Sequence, residues 1–220
     1  MRLVGCEPRL RDAAHDMRFL MGRGYTRKVS LRVVSNRYGL SKREQMVLFR
    51  GVYDDKTAGE HRKKRVSEGE LRGKVLGVDW YNVFITVEGG LMGEPLVLGD
   101  DGFLRDVRGL HGRHHARKES LEAVEDIIRF LKGLELKSVS LYLDADVSRS
   151  GEARALIEET MGIHGLSGIA VTTKSPDRDV VSNEVSASSD AIVIEKASAA
   201  FDIPSSIFSR NEKIMAIALK

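Results

Sequence analysis

Between residues 10 and 21 the apolar side chains fall at Leu10, Ala13, Ala14, Met17, Leu20 and Met21, the three-and-four spacing of one helix face. Gly22 and Gly24 follow and end that helix. The stretch SLRVVSNRYGL predicts a second helix, stopped at Gly39. Ser41 and Glu44 have the capping-box spacing ahead of Met46, Val47 and Leu48, which predicts a third. Residues 53–70 hold few large apolar side chains and carry the run HRKKR, so they read as a linker, a mobile arm or an exposed helix. From residue 71 the period changes. Apolar runs at 74–79, 138–146, 167–173, 190–197 and 213–219 read as strands. NVFITVEGGLMG, LEAVEDIIRFLKGL and GEARALIEETMG read as helices between them.

Strands that alternate with helices are joined by right-handed crossovers into a mostly parallel sheet covered on both faces. The expected organisation is an all-helical domain over 1–52, a charged linker over 53–70, and an α/β domain over 71–220. The α/β domain should have a mostly parallel central sheet flanked by helices. The second and third helices, joined by Tyr38-Gly39-Leu40, have the form of a helix-turn-helix or of a plain packing module.

Composition narrows the setting. The single cysteine, Cys6, excludes an intrachain disulfide. No apolar run approaches a membrane span, and MRLVGCEPRLRD lacks the apolar core of a signal peptide, so a cytoplasmic protein is expected. The net charge of +3 conceals a division. Residues 1–70 carry 17 Lys and Arg against 9 Asp and Glu, and residues 71–220 carry 18 against 23. A basic first part attracts polyanions, or simply solvates helix faces. Charge makes nucleic acid a candidate partner, no membrane is expected, and a homodimer stays open.

In an open α/β sheet the ligand crevice lies outside the carboxyl ends of the strands. The expected strands bring acids there: Asp79 with Asn82 after it, Asp144 and Asp146, and Asp177 and Asp179 in KSPDRD, while the strand at 190–197 is entered through Ser188-Ser189-Asp190. GDDGFLRDVRG adds Asp100, Asp101, Arg105 and Asp106. One such aspartate is ordinarily a cap or a turn former. Several that converge raise one another's pKa, and a divalent cation removes that cost. Mg²⁺ takes oxygen ligands, one or two of them carboxylates, and keeps water; Mn²⁺ is similar. Either is the expected cofactor, serving phosphoryl transfer or phosphodiester cleavage. HGRHHARK, with Arg113, His114, His115 and Arg117, lacks the cysteines or spacing of a zinc site and reads as a basic loop that touches phosphates. Arg105 and the run Arg62, Lys63, Lys64 and Arg65 are further candidate backbone contacts. The chain has no GxxxxGK[ST] and no GxGxxG, which argues against a nucleotide-binding kinase or dehydrogenase.

VLGVDWYN resembles the opening of PIN-like nucleases, where a strand ends in Asp and a small polar residue follows. SSDAIVIEKASAAFDIP is similar to the late acid-and-strand unit of those proteins, and the resemblance spans about residues 74–205. It implies a parallel sheet and a metal-dependent nuclease site, often acting on RNA. Carried across by position, it implies that Asp79, Asp144 and Asp179 bind metal and that Asn82 orients Asp79 or its water. Asp146, Asp177 and Asp190 complete the metal candidates, and Asp101 joins the catalytic ones. The family's second acid falls on Glu88, Asp101 or Asp106. The insert GEPLVLGDDGFLRDVRGLHGRHHARK is longer and more polar than the usual one. The whole chain also resembles an uncharacterised, largely archaeal protein family. Two alternatives stand beside the nuclease. One is a noncatalytic nucleic-acid-binding or assembly protein on a degenerate PIN-like fold. The other is a Toprim-like Mg²⁺ enzyme built on Glu88 and the pair Asp144 and Asp146.

Overall fold

The computed structural model describes residues 1–108, 118–209 and 211–220. A short strand, β1 (Arg2–Gly5), leads into four helices: α1 (Pro8–Gly22), α2 (Arg27–Tyr38), α3 (Lys42–Gly51) and α4 (Asp55–Lys64). The expected capping box forms in both directions. The Glu44 amide donates to Ser41 Oγ at 3.3 Å, and the Ser41 amide donates to Glu44 Oε2 at 2.8 Å. Gly39 takes φ 59° at the end of α2, the left-handed conformation glycine adopts without strain. The helices do not close a core of their own. Leu10, Met17, Val34 and Leu48 bury against Val97, Val107 and Leu219 from later in the chain.

The segment expected as a linker is ordered structure. Asp54 caps α4 by accepting from the Thr57 amide at 2.9 Å, and a 3₁₀ turn follows at Glu68–Leu71. Ala58 and His61 of α4 are buried.

The rest alternates: β2 (Val75–Asp79), α5 (Trp80–Leu91), β3 (Leu96–Leu98), β4 (Leu104–Asp106), α6 (Lys118–Lys132), β5 (Ser138–Asp144), α7 (Ser150–His164), β6 (Gly168–Thr173), α8 (Pro176–Val181), β7 (Val185–Ala187), α9 (Ala191–Lys196), β8 (Ala200–Phe201), α10 (Ile203–Phe208) and β9 (Met215–Ala218). Five strands form an all-parallel sheet in the order β6, β5, β2, β7, β8, flanked by helices. A smaller sheet runs β1, β9, β3, β4 and ties both ends of the chain together, β1 pairing parallel with β9. Among the described residues no helix is long and apolar enough to cross a membrane.

Two expected strands differ. The run at 190–197 forms α9, because the Asp190 carboxylate accepts from the Ile192 amide at 2.8 Å and so starts a helix. The fourth strand of the main sheet is β7 instead, three residues buried between β2 and β8. The run at 213–219 does form β9, but in the smaller sheet.

Candidate functional site

The strand order places β2 at the centre. From β2 the chain winds out through β5 and β6, then returns to the other side at β7 and β8. The reversal between β2 and β7 is a topological switch point, where a crevice opens at the carboxyl ends of the strands. Asp79 is the last residue of β2, and Ser188 follows the end of β7. These two side chains meet: Ser188 Oγ donates to Asp79 Oδ2 at 2.9 Å. The Asp190 amide donates to Ser188 Oγ at 3.0 Å. Asn82, in the first turn of α5, accepts through Oδ1 from the Ser189 amide at 2.8 Å and the Ser189 hydroxyl at 2.9 Å. The Asn82 side chain therefore holds the 188–190 turn across the crevice, while its backbone amide donates to Asp79.

Glycine at the centre of β2 brings α8 in. A β-carbon on Gly77 would overlap the Asn183 amide group and lie 2.9 Å from the Val180 carbonyl oxygen. With α8 seated this closely, Asp177 in its first turn comes within electrostatic reach of Asp79, Asp144 and Asp190. The structure thus gathers Asp79, Asp144, Asp177 and Asp190 at one edge. Burial, reinforced by the Asp177 and Asp190 charges, pushes Asp79 up to about 7, against the Ser188 hydroxyl, which lowers it. Asp177 is raised by burial and by Asp190 and Asp144, with Lys196 opposing. Beside the acids a cleft is lined by Asp144, Lys174, Asp177, Arg178 and Lys196. Tyr81 flanks it, its hydroxyl raised to about 12 by burial and by Asp144.

The other candidates lie elsewhere or are engaged. Asp179 turns onto the end of β6, accepting from Thr173 Oγ1 at 2.6 Å. Asp146 is exposed in the turn after β5, and its amide donates to Asp144 Oδ1 at 2.9 Å. Glu88 is buried within α5, accepting from Ser120 Oγ at 2.6 Å and facing Arg108 at 3.4 Å. A Toprim arrangement places its glutamate at a strand end, so this position does not support that alternative. Asp106 pairs with the same Arg108 at 2.7 Å. Among the described residues no three His, Cys, Asp or Glu side chains converge closely enough to chelate a metal ion.

Asp101 and Arg105 belong to a separate cluster. Asp101 is 0% exposed and Arg105 2% exposed. Arg105 Nη1 and Nη2 donate to the two Asp101 oxygens at 2.7 and 2.6 Å. His61 Nδ1 lies 2.9 Å from Asp101 Oδ2. Burial alone would raise the Asp101 carboxyl; the bonds from Arg105 and His61 hold it well below the usual carboxylate range. Arg105, expected to touch phosphate, is sealed in the interior and cannot do so.

Most of the basic run is also committed to the fold. Arg62 donates to the Asp100 carbonyl oxygen. Lys64 Nζ donates to the carbonyls of Ile194 at 3.1 Å and Glu195 at 2.6 Å, the end of α9. Arg65 donates to Ser205 Oγ at 3.3 Å. Lys63 is exposed. In the helical part Arg18 forms a fork on Asp100 at 2.7 and 2.8 Å, and Arg27 donates to the Phe49 carbonyl at 2.6 Å. Arg113, His114, His115 and Arg117 lie outside the described residues. Sequence reasoning missed Ser188, Lys174 and Lys196. The only signal for Ser188 was its place before Asp190, which was read as the entry to a strand.

Fold and site together define an α/β protein with an acidic switch-point crevice, joined to N-terminal helices. The chain belongs to the family described as "Domain of unknown function (DUF5616)", which matches residues 68–206. Residues 9–64 match a second family, "Protein of unknown function (DUF434)". The chain is similar to an uncharacterised protein of Methanocaldococcus jannaschii, 32% identical over 186 residues that cover 84% of this chain and 89% of the relative. No solved structure matches the chain.

Proposed function

We propose that the protein is a metal-dependent phosphodiesterase acting on nucleic acid, RNA in the first place, with Mg²⁺ or Mn²⁺ held at Asp79 and its neighbours. The observation that carries this reading is the state of Asp79. It ends the central strand at the switch point, and although the Ser188 hydroxyl and the Asn82 amide both lower it, burial and two other carboxylates push it up to about 7. A capping role leaves that cost unexplained, whereas a bound cation removes it. With no three-residue chelate among the described residues, a hard cation here would take one or two carboxylates and keep most of its water. The family resemblance of VLGVDWYN to PIN-like nucleases points the same way.

The cation would supply positive charge to a phosphate oxygen and to the attacking water. Asp79, with Asp177 or Asp190, would hold it. Ser188 keeps Asp79 Oδ2 in place, and Lys174, Arg178 and Lys196 on the cleft wall would meet the phosphate charge. A carboxylate of the group left off the cation would be placed to accept the proton of the attacking water. Exposed cations such as Lys28, Arg32, Lys42 and Lys63 would add salt-dependent backbone affinity.

The test is Mn²⁺ titration by calorimetry, followed by cleavage of end-labelled single-stranded RNA, on wild type and Asp79→Asn. Binding and cleavage in wild type, both lost in the variant, are expected. A wild type that binds no Mn²⁺ would move the reading to a noncatalytic nucleic-acid-binding protein, the alternative favoured by the lack of a three-residue chelate.

A further inference from the structure

We propose that Arg105, backed by Asp101 and His61, is a positioning residue that braces the acidic edge from the N-terminal helices. Ser189 is held on two sides. Its amide and hydroxyl go to Asn82, and its carbonyl oxygen accepts from Arg105 Nε at 2.7 Å. The neighbours of Ser189 are the two groups that matter: Ser188, which donates to Asp79, and Asp190, whose amide is bonded to Ser188. Where the 188–190 turn sits decides where Asp79 and Asp190 sit.

Arg105 is suited to this because its guanidinium is a rigid fork. Two nitrogens lock onto Asp101, and that fixes the direction of the third toward Ser189. A lysine has one nitrogen and cannot make this set of bonds. Asp101 is oriented in turn by His61, which belongs to α4 and is 1% exposed. His61 Nε2 is buried with no hydrogen-bond partner among the described residues, so the ring's only polar anchor is the bond from Nδ1 to Asp101. Tyr53 packs edge-on against the imidazole at 5.4 Å and lies under Arg105 at 4.9 Å. The chain of contacts thus runs from α4, through Asp101 and Arg105, to Ser189 and Asn82.

A buried ion pair is seldom better for stability than apolar side chains of the same volume. What this one adds is direction, delivered to one carbonyl at the site. It also crosses the boundary between the two family matches, since His61 lies within 9–64 and Arg105 within 68–206. On this view the helical part is a structural component of the edge. The bracing stands on its own geometry; its value for catalysis rests on the metal-dependent reading above.

The test uses the full chain with His61→Phe, Asp101→Leu and Arg105→Met together, which removes the buried cluster as a unit and leaves the nearby Asp202 carboxylate with the Arg65 charge and its bonds from the Leu104 and Ser205 amides. Amide exchange in the native state, followed by NMR, is read at Ser189 and Asp190 and compared with Val139 and Leu141 of β5. Exchange at the turn at least about tenfold faster, with β5 unchanged, is expected. Unchanged exchange at the turn, or acceleration only in step with β5, would overturn the brace. If the triple variant does not fold, Arg105→Lys decides by the same two outcomes. Mn²⁺ titration of the folded variant then separates the two claims. A wild type that binds no Mn²⁺ removes the functional reading and leaves exchange to judge the brace. With a binding wild type, a loosened turn should weaken Mn²⁺ at least about tenfold; undiminished affinity would show that the brace does not serve the site.

Discussion

Two groups of acids lie on opposite sides of one turn, and they have opposite electrostatics. Asp101 is met by a guanidinium and an imidazole, so its charge is compensated and its carboxyl is held well below the usual range. Asp79 is met by a serine hydroxyl and by two further carboxylates, and it rises to about 7. Desolvation alone does not separate structure from function, because it raises both Asp79 and Asp101. Compensation does. An acid with its counter-ion built in is part of the fold, and an acid whose neighbours are other acids carries an uncompensated cost, which the proposed cation would remove.

Breaking the compensated cluster should have the largest effect. Arg105→Met leaves the buried Asp101 without its guanidinium, and losing one partner of such a pair costs about 3–5 kcal/mol. Urea unfolding should show that loss; a change below about 1 kcal/mol would mean Asp101 is not the compensated acid drawn here. Asp79→Asn should go the other way. The folded-state value of Asp79 is raised above its unfolded one, so its neutral form favours the fold. The stability it contributes is complete below about pH 4 and is lost as pH rises to about 7. Asparagine stays neutral throughout. The variant should therefore match wild type near pH 4 and exceed it at pH 8 by roughly 1–3 kcal/mol, a fraction of the full linkage because the neighbouring acids titrate together. A variant less stable than wild type at pH 8 would make Asp79 a structural residue. Saturating Mn²⁺ should flatten the same pH dependence in wild type and leave the variant's unchanged.

Much of the fold was legible because its longer elements repeat. α6 buries Ala123, Val124, Ile127, Ile128 and Leu131 on one stripe, and β5 alternates over seven residues. β7 and β8 were not legible, since strands of three and two residues are too short to show a period. The same shortness makes α9, six residues behind the Asp190 cap, read as a strand. In the site, the acids at strand ends could be read from position, and the gathering of Asp79, Asp144, Asp177 and Asp190 follows from topology. The difference between Asp79 and Asp101 could not be read. Both are aspartates beside glycine and apolar residues. What separates them is a partner 109 residues away in one case and 40 and 4 residues away in the other.

The smallest effects sharpen the comparison at its outer margin, in the run from Arg62 to Arg65. By composition alone the four cations are alike, and their replacement should leave thermal stability untouched. The structure distinguishes them. Lys64 satisfies two carbonyls at the carboxyl end of α9, where a cation also meets the helix dipole, whereas Lys63 is exposed. Lys64→Ala should therefore cost about 0.5–1.5 kcal/mol in thermal unfolding, and Lys63→Ala less than about 0.5. In RNA binding the order should reverse. A lysine used inside the molecule contributes little to phosphate affinity, while removal of Lys63 should lower the slope of log affinity against log salt by up to about one. Equal silence of both variants in thermal unfolding would return the run to a solvated arm, and with it the expectation that α4 carries charge for a partner rather than for the fold.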